Sequence, residues 1–474
     1  MKKLFLAAII AMFLFPASIE AQGFWGRVRK PKDFAEVCKT GCTFNTIQAA
    51  IDAASTLFTA GTCDTSAGTC SAGDIGLACT ADADCDVFVP WTIHVGPGTY
   101  DEALTIGTAT FDDSAHLRLI GAGRDQVIIT NATDGGVTIE VSGGKFELAG
   151  VTVIDTETGI VDGSAGIEWT TTQRNEAYIH DARFQCLSHA IVPAPGCVHW
   201  TTENAANDPK FTFINNEVQY CTVGLQLQGG GYDLLANNRY TNDNCTAGLA
   251  VQSWAIWWSP NGATVGVWEL HAVGEYIWVD RTTTGAGVDT IGIDTNPALA
   301  AHAYFYDATI NVTDRGTGTS NDTAGFDHTG VGESTAEDWC INCTIKVNRP
   351  NSTGNTHAMK SNNVHASGTY TIGARGGHFR ASNSDSSALD VSVSANNAFR
   401  LIGTNYVTST TSQLPDIRTE HFSPDVGNCC AATCIVGEIF LDTTGGTVEL
   451  CVCHTADTWE CLDIVALGTP GPAD

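Results

Sequence analysis

With 474 residues, 43% of them hydrophobic, the chain is long and apolar enough to bury a large core, which excludes disorder as its main state. Charged residues make up only 16%, and 52 acidic against 23 basic side chains leave a formal charge of −29. Such a polyanion does not hold a nucleic-acid backbone or an anionic membrane through concentrated Lys and Arg, so its expected partners are neutral, cationic or locally recognised. The 49 glycines interrupt the chain too often for a coiled coil.

In chain order, Met1-Lys2-Lys3 precedes an apolar run, Leu4 to Phe15, too short to span a bilayer, and then small residues up to Ala21. This predicts a secretory signal over 1–21, followed by an N-terminal linker over 22–43. No later apolar run has spanning length. Eighteen cysteines in a secreted, extracellular or cell-surface chain point to disulfides. They form three sets of six: Cys38 to Cys85, Cys186 to Cys343, and Cys429 to Cys461. Within each set about 15 pairings are open.

Between Asn45 and Ala54 the residues Ile47, Ala50, Ile51 and Ala54 share one helical face, with Asn45 and Gln48 as a capping pair. A Cys-rich insert follows over about 62–86. Its Asp82, Asp84 and Asp86 alternate as in a calcium loop, yet no Gly follows at the bend and no Glu closes a twelve-residue frame. Calcium is the one cofactor this insert hints at; otherwise none is expected, and no metal-ligand set is assigned.

From Trp91 onward the chain reads as short strands separated by turns. A unit then recurs: an apolar residue, two places on Asn, Asp or Gly, and three places later another apolar residue. It reads Leu148-Gly150-Val153, Ile179-Asp181-Phe184, Phe213-Asn215-Val218, Leu235-Asn237-Tyr240, Phe305-Asp307-Ile310, Cys340-Asn342-Ile345, Ala374-Gly376-Phe379 and Leu401-Gly403-Tyr406. The unit returns at intervals inside the range that marks a solenoid, and the one long gap, from Leu235 to Phe305, has room for two turns. The polar residue falls at a fixed bend, where Asn, Asp and Gly tolerate left-handed backbone. Stacked coils are expected to align those side chains into a ladder.

The runs Thr46 to Ala54, Ile93-His94-Val95-Gly96-Pro97-Gly98-Thr99-Tyr100-Asp101-Glu102 and Leu119-Ile120-Gly121-Ala122-Gly123-Arg124 resemble the opening of right-handed parallel β-helix proteins of the pectin-lyase-like superfamily. Pectin methylesterases begin in a similar way. The resemblance implies an all-β, right-handed parallel β-helix over 44–412 whose first helix caps the N-terminal end. About ten coils at ~4.8 Å each predict a rod of about 50 Å. The methylesterase motifs beyond the opening are absent: there is no Gln-Asp-Thr run and no Gly-Arg-Pro-Trp.

A linker over 413–424 leads to a small Cys-rich β module over 425–474. There, Gly437 to Cys453 reads as two alternating strands joined by Gly445-Gly446, with Trp459 on a third. Disulfides fit this module; zinc on Cys430, Cys434, Cys451, Cys453 and His454 is the rival reading, and it lacks two clean CxxC knuckles.

Trp254, Trp257, Trp258, Trp268 and Trp278 crowd five of the eleven tryptophans into one short stretch. In Tyr276-Ile277-Trp278-Val279-Asp280, alternation buries Ile277 and Val279 and turns Tyr276, Trp278 and Asp280 outward. Indoles beside carboxylates suit neutral sugar rings. The expected carbohydrate contacts are Trp254, Trp257, Trp258, Tyr276, Trp278 and Asp280; the competing reading packs these rings inside wide coils. Ile277 to Arg281 also resembles a fragment of a pectate-lyase signature, with Arg281 where that family has His. No complete lyase set of base and calcium-binding acids can be assembled, and the acidic balance repels a polyuronate.

For glycoside hydrolysis, Asp280, Asp289, Asp294, Asp307, Asp322, Asp327 and Glu333 offer carboxylates that only a measured arrangement can sort into pairs. Asp327-His328 reads as a turn, and Cys340-Cys343 as a bridge or buried thiol. No catalytic residue is assigned. Six Asn-X-Ser/Thr sites occur, at Asn131, Asn244, Asn311, Asn321, Asn342 and Asn351. The function expected is a secreted β-helix that binds extracellular glycans or serves a surface structural or adhesive role. The alternative is a polysaccharide lyase or glycoside hydrolase, and self-association fits either.

Overall fold

The computed structural model describes residues 34–55, 62–64, 66–72, 91–107, 116–131, 136–142, 144–155, 165–171, 175–186, 196–202, 210–220, 222–228, 231–242, 253–260, 268–281, 289–296, 301–316, 322–329, 336–350, 356–361, 370–382, 386–391, 397–402, 405–408, 439–442, 449–455 and 458–463. The predicted signal, the calcium-like run at Asp82 to Asp86 and the linker over 413–424 lie outside them.

Three parallel sheets of twelve, eleven and ten strands wind around one core. The chain visits them in turn. Gly144–Ala149 lies in the twelve-stranded sheet, Thr152–Asp155 in the eleven-stranded sheet and Ile167–Thr171 in the ten-stranded sheet. The next coil, Asn175–His180, Arg183–Cys186 and Val198–Thr202, pairs with the first in register, Leu148 against Ile179, Val153 against Phe184 and Ile167 against Val198. This is the expected all-β parallel β-helix. The first strand of the twelve-stranded sheet is Phe34–Val37, so the coil begins inside the segment read as a linker.

Alternation drives the winding, since each strand sends every second side chain inward. Leu117, Leu119, Phe146, Leu148, Ile179, Phe211, Phe213, Leu270 and Phe305 are all buried. Each such side chain contributes about 1.5–3 kcal/mol of burial. Aromatic rings fill the wider coils: Trp169 lies 6.1 Å from Phe146 and 5.3 Å from Trp200, and Trp200 lies 5.2 Å from Phe211. Trp258 and Trp268 belong to the same core. Trp258 therefore is not a surface sugar contact, because it shares its inward row with Leu227.

The bends fall where the pattern predicts them. Gly150, Asp181, Asn215, Asn237, Asp307, Asn342 and Gly376 all have positive φ, between 54° and 64°. Gly274, with φ 67°, supplies the coil missing from the long gap, through Ala272 and Ile277. Gly403 lies outside the described residues.

The ladder, however, is offset by one. Side chains at the bends Asp181, Asn215, Asn237, Asp307 and Asn342 are exposed; what they supply is backbone conformation. The inward ladder is the next residue. Asn216 Oδ1 accepts from Ala182 N at 2.9 Å, and Asn238 Oδ1 accepts from Asn216 N at 2.9 Å. Asn216 Nδ2 donates to Ile179 O at 3.0 Å, Asn238 Nδ2 to Phe213 O at 2.8 Å and to Glu275 Oε1 at 3.2 Å. Inward bonding therefore does not compete for Asn342, whereas Asn131 is buried.

At the N-terminal end, the helix Ile47–Ser55 buries Ile47, Ala50, Ile51 and Ala54. Its cap differs from the predicted pair. Thr46 Oγ1 accepts from Ala49 N at 3.3 Å, and the Glu102 carboxylate accepts from Ile47 N at 2.9 Å and Gln48 N at 3.0 Å. A carboxylate at a helix N-terminus also favours the helix dipole. Gln48 instead bonds to a strand, its Oε1 accepting from Thr105 N at 2.9 Å and its Nε2 donating to Thr105 O at 3.2 Å. Thr105 lies in Leu104–Ile106, the first strand of the ten-stranded sheet, so an amide side chain substitutes for the missing strand at that open edge.

Disulfides join Cys38 to Cys42, Cys186 to Cys197 and Cys340 to Cys343, and Cys63 is also bonded. All three of these pairs stay within their predicted sets, and the CxxC is a buried bridge. Ile439–Asp442, Glu449–Thr455 and Thr458–Asp463 form a separate antiparallel sheet with Trp459 on its third strand, as the pattern predicts.

The offset ladder gives a direct test by urea unfolding. Asn238→Ala strands the Asn216 and Phe213 backbone groups and should cost about 2–4 kcal/mol. Asn215→Gly keeps the left-handed bend and should change stability by less than about 1 kcal/mol. Equal costs would contradict the assignment of the two rows.

Candidate functional site

On the ten-stranded sheet the register stacks one side chain per coil into a continuous row. It runs Glu140, Glu168, His199, Gln226, Trp257, Asp294, Asp327 and Lys360. Their neighbours Ile256, Ile293, Phe326 and Met359 belong to the core, which leaves the row on the outer side.

The row divides into a hydrogen-bonding part, an indole part and a charged part. His199 Nδ1 lies 3.0 Å from Glu168 Oε1, and its Nε2 lies 2.7 Å from Thr201 Oγ1. The Trp254 and Trp257 rings are half-buried, with centroids 5.0 Å apart at 53°. Beyond them, Asp294 Oδ1 accepts from Thr329 Oγ1 at 2.8 Å. The Lys360 ammonium donates to Asp322 Oδ2 and lies 3.7 Å from Asp327 Oδ2. Asp289 Oδ1 accepts from Asp322 N at 3.0 Å. Asp327 Oδ1 is buried and has no hydrogen-bond partner among the described residues.

Asp294 and Asp327 occupy adjacent rungs, with Cα atoms ~4.8 Å apart by strand spacing. Burial pushes the Asp294 carboxyl well above the usual carboxylate range, and the neighbouring Asp327 charge pushes it further. Burial likewise raises Asp327, to about 7, against the opposing pull of Lys360. Burial works against the Lys360 ammonium, but Asp327 and Asp322 outweigh it and its pKa is raised. Near neutral pH such a pair combines a protonated with an ionised carboxyl, a proton donor beside an acceptor. Among the described residues no group of three or more His, Cys, Asp or Glu side chains is arranged to hold a metal ion.

The structure separates the predicted sugar contacts. Trp254 and Trp257 stand on the ten-stranded sheet, whereas Tyr276, Trp278 and Asp280 stand on Tyr276–Arg281 of the eleven-stranded sheet. Ile277 and Val279 are buried, and Trp278 is 42% exposed. Asp280 is held by Arg315 through two bonds of 2.8 Å. Arg281 is buried, its Nη1 donating to Thr290 Oγ1 at 3.3 Å, so it is no surface base. Asp327 and His328 lie in the strand Thr323–His328 rather than in a turn. His328 points into the core, with Nδ1 2.8 Å from Asp338 Oδ2 and 3.0 Å from Thr295 Oγ1.

Of the seven carboxylates weighed for hydrolysis, Asp289, Asp294, Asp322 and Asp327 converge. Asp280 is ion-paired elsewhere, Asp307 is an exposed bend, and Glu333 lies outside the described residues. Sequence reasoning misses Lys360, His199 and Glu168. Their signal is the period itself: Trp257, Asp294, Asp327 and Lys360 recur once per coil.

No protein-family model and no curated protein sequence matches the chain. Among solved structures, it is similar to pectin methylesterase PemA from Erwinia chrysanthemi at 13% identity and TM-score 0.35, covering 63% of this chain and 89% of that one. It is similar to pectin methylesterase from carrot at 10% identity and TM-score 0.34, covering 78% and 91%. It is also similar to the A-module of the Azotobacter vinelandii mannuronan C-5 epimerase AlgE6, at 10% identity and TM-score 0.29, covering 67% and 91%. These likenesses concern the coil alone; the parallel β-helix stands on the strand order and register of this chain.

The buried acids set the pH dependence of stability. Burial raises Asp233 and Glu275 to about 8, Asp327 to about 7, and Asp294 as well. A raised carboxyl binds its proton more tightly folded than unfolded, so its contribution is complete below the unfolded pKa near 4 and is lost as pH rises through the folded value. The melting temperature should therefore fall between about pH 4 and pH 8. Asp233→Asn and Asp327→Asn should each flatten that slope; a melting temperature rising across the window would contradict the assignment.

Proposed function

We propose that this chain is a secreted glycan-binding β-helix in which an extended, neutral polysaccharide lies along the outer row of the ten-stranded sheet. The observation that carries this reading is the half-buried Trp254–Trp257 indole pair, in register with Gln226 and Asp294, which are buried and reach a sugar only once the site opens around it. Indole faces take the C–H faces of sugar rings, while amide and carboxyl groups bond to hydroxyls. The negative chain charge favours neutral over uronate polymers. Trp278, exposed on the adjacent sheet with no ring of the described residues stacked on it, supports a second contact. The disulfides support an oxidising, extracellular address. No helix of the described residues is long and apolar enough to cross a membrane.

A second reading, glycoside hydrolysis, is favoured by the Asp294–Asp327 pair. One carboxyl would protonate the leaving oxygen and the other act from the opposite side of the bond. The pair stands on adjacent rungs, and the separation of its carboxyl groups around a bound sugar would decide between retention and inversion. Both carboxyls are buried, so this chemistry requires the site to open around substrate.

A glycan array on the full chain separates these readings. Trp254→Ala and Trp257→Ala should weaken binding to the retained neutral glycans about tenfold, equal to about 1.4 kcal/mol. Unchanged binding in both would refute the indole site. If incubation with the retained polymers releases reducing ends, and Asp294→Asn or Asp327→Asn lowers that rate about 100-fold or more, the hydrolytic reading holds. No release by the parent chain rejects it.

A further inference from the structure

We propose that the outer face of the twelve-stranded sheet carries a separate sugar-stacking site, built on Trp339. It extends the glycan reading above and rests on it for ligand class, but on none of the same residues. In the strand Ala336–Ile341 the residues Ala336, Asp338 and Cys340 are buried, and Glu337, Trp339 and Ile341 form the half-exposed outer row. Register places Trp339 between Tyr304 and Gly373, and Glu337 beside His302.

Gly373 is what shapes this site. A Cβ on Gly373 would lie 2.4, 2.5 and 2.7 Å from Cε3, Cζ3 and Cδ2 of Trp339. Near-equal distances to three contiguous ring carbons mean that the Cα–Cβ direction meets the face of the indole, not its edge. The ring lies down across the next rung, one face on the glycine backbone and the other turned away from the sheet. Any larger residue at 373 would lift it.

The other rings on this face are arranged differently. His271 and Tyr304 stack at 5.2 Å and 21°, His271 and Tyr306 at 6.4 Å and 4°, and Tyr232 and His271 at 5.4 Å and 30°. Their faces are turned toward one another rather than left free. Tyr304 Oη approaches Glu337 Oε2 at 3.5 Å. No ring of the described residues stacks on Trp339. The face thus offers a flat apolar platform bordered by hydrogen-bonding groups, and it also holds Tyr178, Tyr232 and Val273, three of the four exposed large hydrophobics among the described residues.

A platform with polar edges fits a pyranose ring whose axial hydrogens lie on one face and whose hydroxyls are equatorial. Strands ~4.8 Å apart repeat at close to the residue length of an extended β-1,4-linked chain, so such a chain running along the rod meets one rung per sugar. The ligand class is a neutral β-1,4-linked glycan.

The decisive experiment is isothermal titration of the full chain with cellohexaose, xylohexaose and mannohexaose, with far-UV circular dichroism as a check on folding. At least one hexasaccharide should bind, and Trp339→Ala should weaken one class of site at least tenfold. Gly373→Ala, which keeps the indole but lifts it, should weaken the same class, and Trp339→Phe should retain part of it. Trp257→Ala should leave that class intact. If Trp339→Ala and Gly373→Ala bind every hexasaccharide as the parent does, or if none of the three binds, the proposal is overturned. Loss in Trp339→Ala with no change in Trp257→Ala upholds this site while rejecting the row on the ten-stranded sheet.

Discussion

A single left-handed residue at the end of eight successive strands of the twelve-stranded sheet, Gly144–Ala149 to Tyr370–Arg375, is the constraint on which the coil depends. Left-handed φ at that one residue, from Gly150 to Gly376, turns the chain from the twelve-stranded sheet into the eleven-stranded sheet at the same place in each coil. Asn, Asp and Gly reach that conformation at least cost. Because the turn is the same in successive coils, the strands on either side stack without slipping. A one-residue slip would send every inward side chain to solvent. The buried Asn216–Asn238–Glu275 ladder then holds the corner with side-chain bonds that an irregular bend could not align.

Register is also what assembles the outer rows of side chains. Residues a full coil apart in sequence become neighbours, so a row of side chains costs the chain one suitable residue per turn. On the ten-stranded sheet this builds Trp257, Asp294, Asp327 and Lys360 into one file. The resulting electrostatics follow from geometry: two carboxyls forced together and out of water cannot both ionise freely, and one ammonium beside them offsets only part of that cost. The twelve-stranded sheet uses the same register for a different surface, with rings stacked on rings until Gly373 lets Trp339 lie flat.

Much of this is legible in the amino-acid sequence. The bend residues, the period and the cap helix can be read because each has a local cause: a left-handed backbone, a repeat of apolar positions, an amphipathic stripe. The side-chain ladder sits one residue from its expected place because Asn215 and Asn216 are both Asn, and sequence does not say which turns inward. Trp258 departs from expectation for a related reason, since alternation breaks in Ser253–Trp258, where both Ala255 and Ile256 are buried. The charged cluster is only half visible. Asp289, Asp294, Asp322 and Asp327 are candidates on sequence grounds, but Lys360 joins them only through a register one full coil beyond Asp327. Trp339 carries no sequence signal beyond its place in the repeat, because what distinguishes it is the absence of a side chain at Gly373.

Parallel, in-register stacking is the claim that everything else inherits. It is tested most directly by placing cysteines at Asn311 and Lys346, outward residues paired across adjacent coils, and mapping the products of a short bifunctional thiol reagent by mass spectrometry. The account predicts a high yield of peptides joining 311 to 346, and little when the second cysteine is moved one rung on, to Arg380. Absence of the 311–346 link, or an equal yield at the more distant position, would contradict the coil.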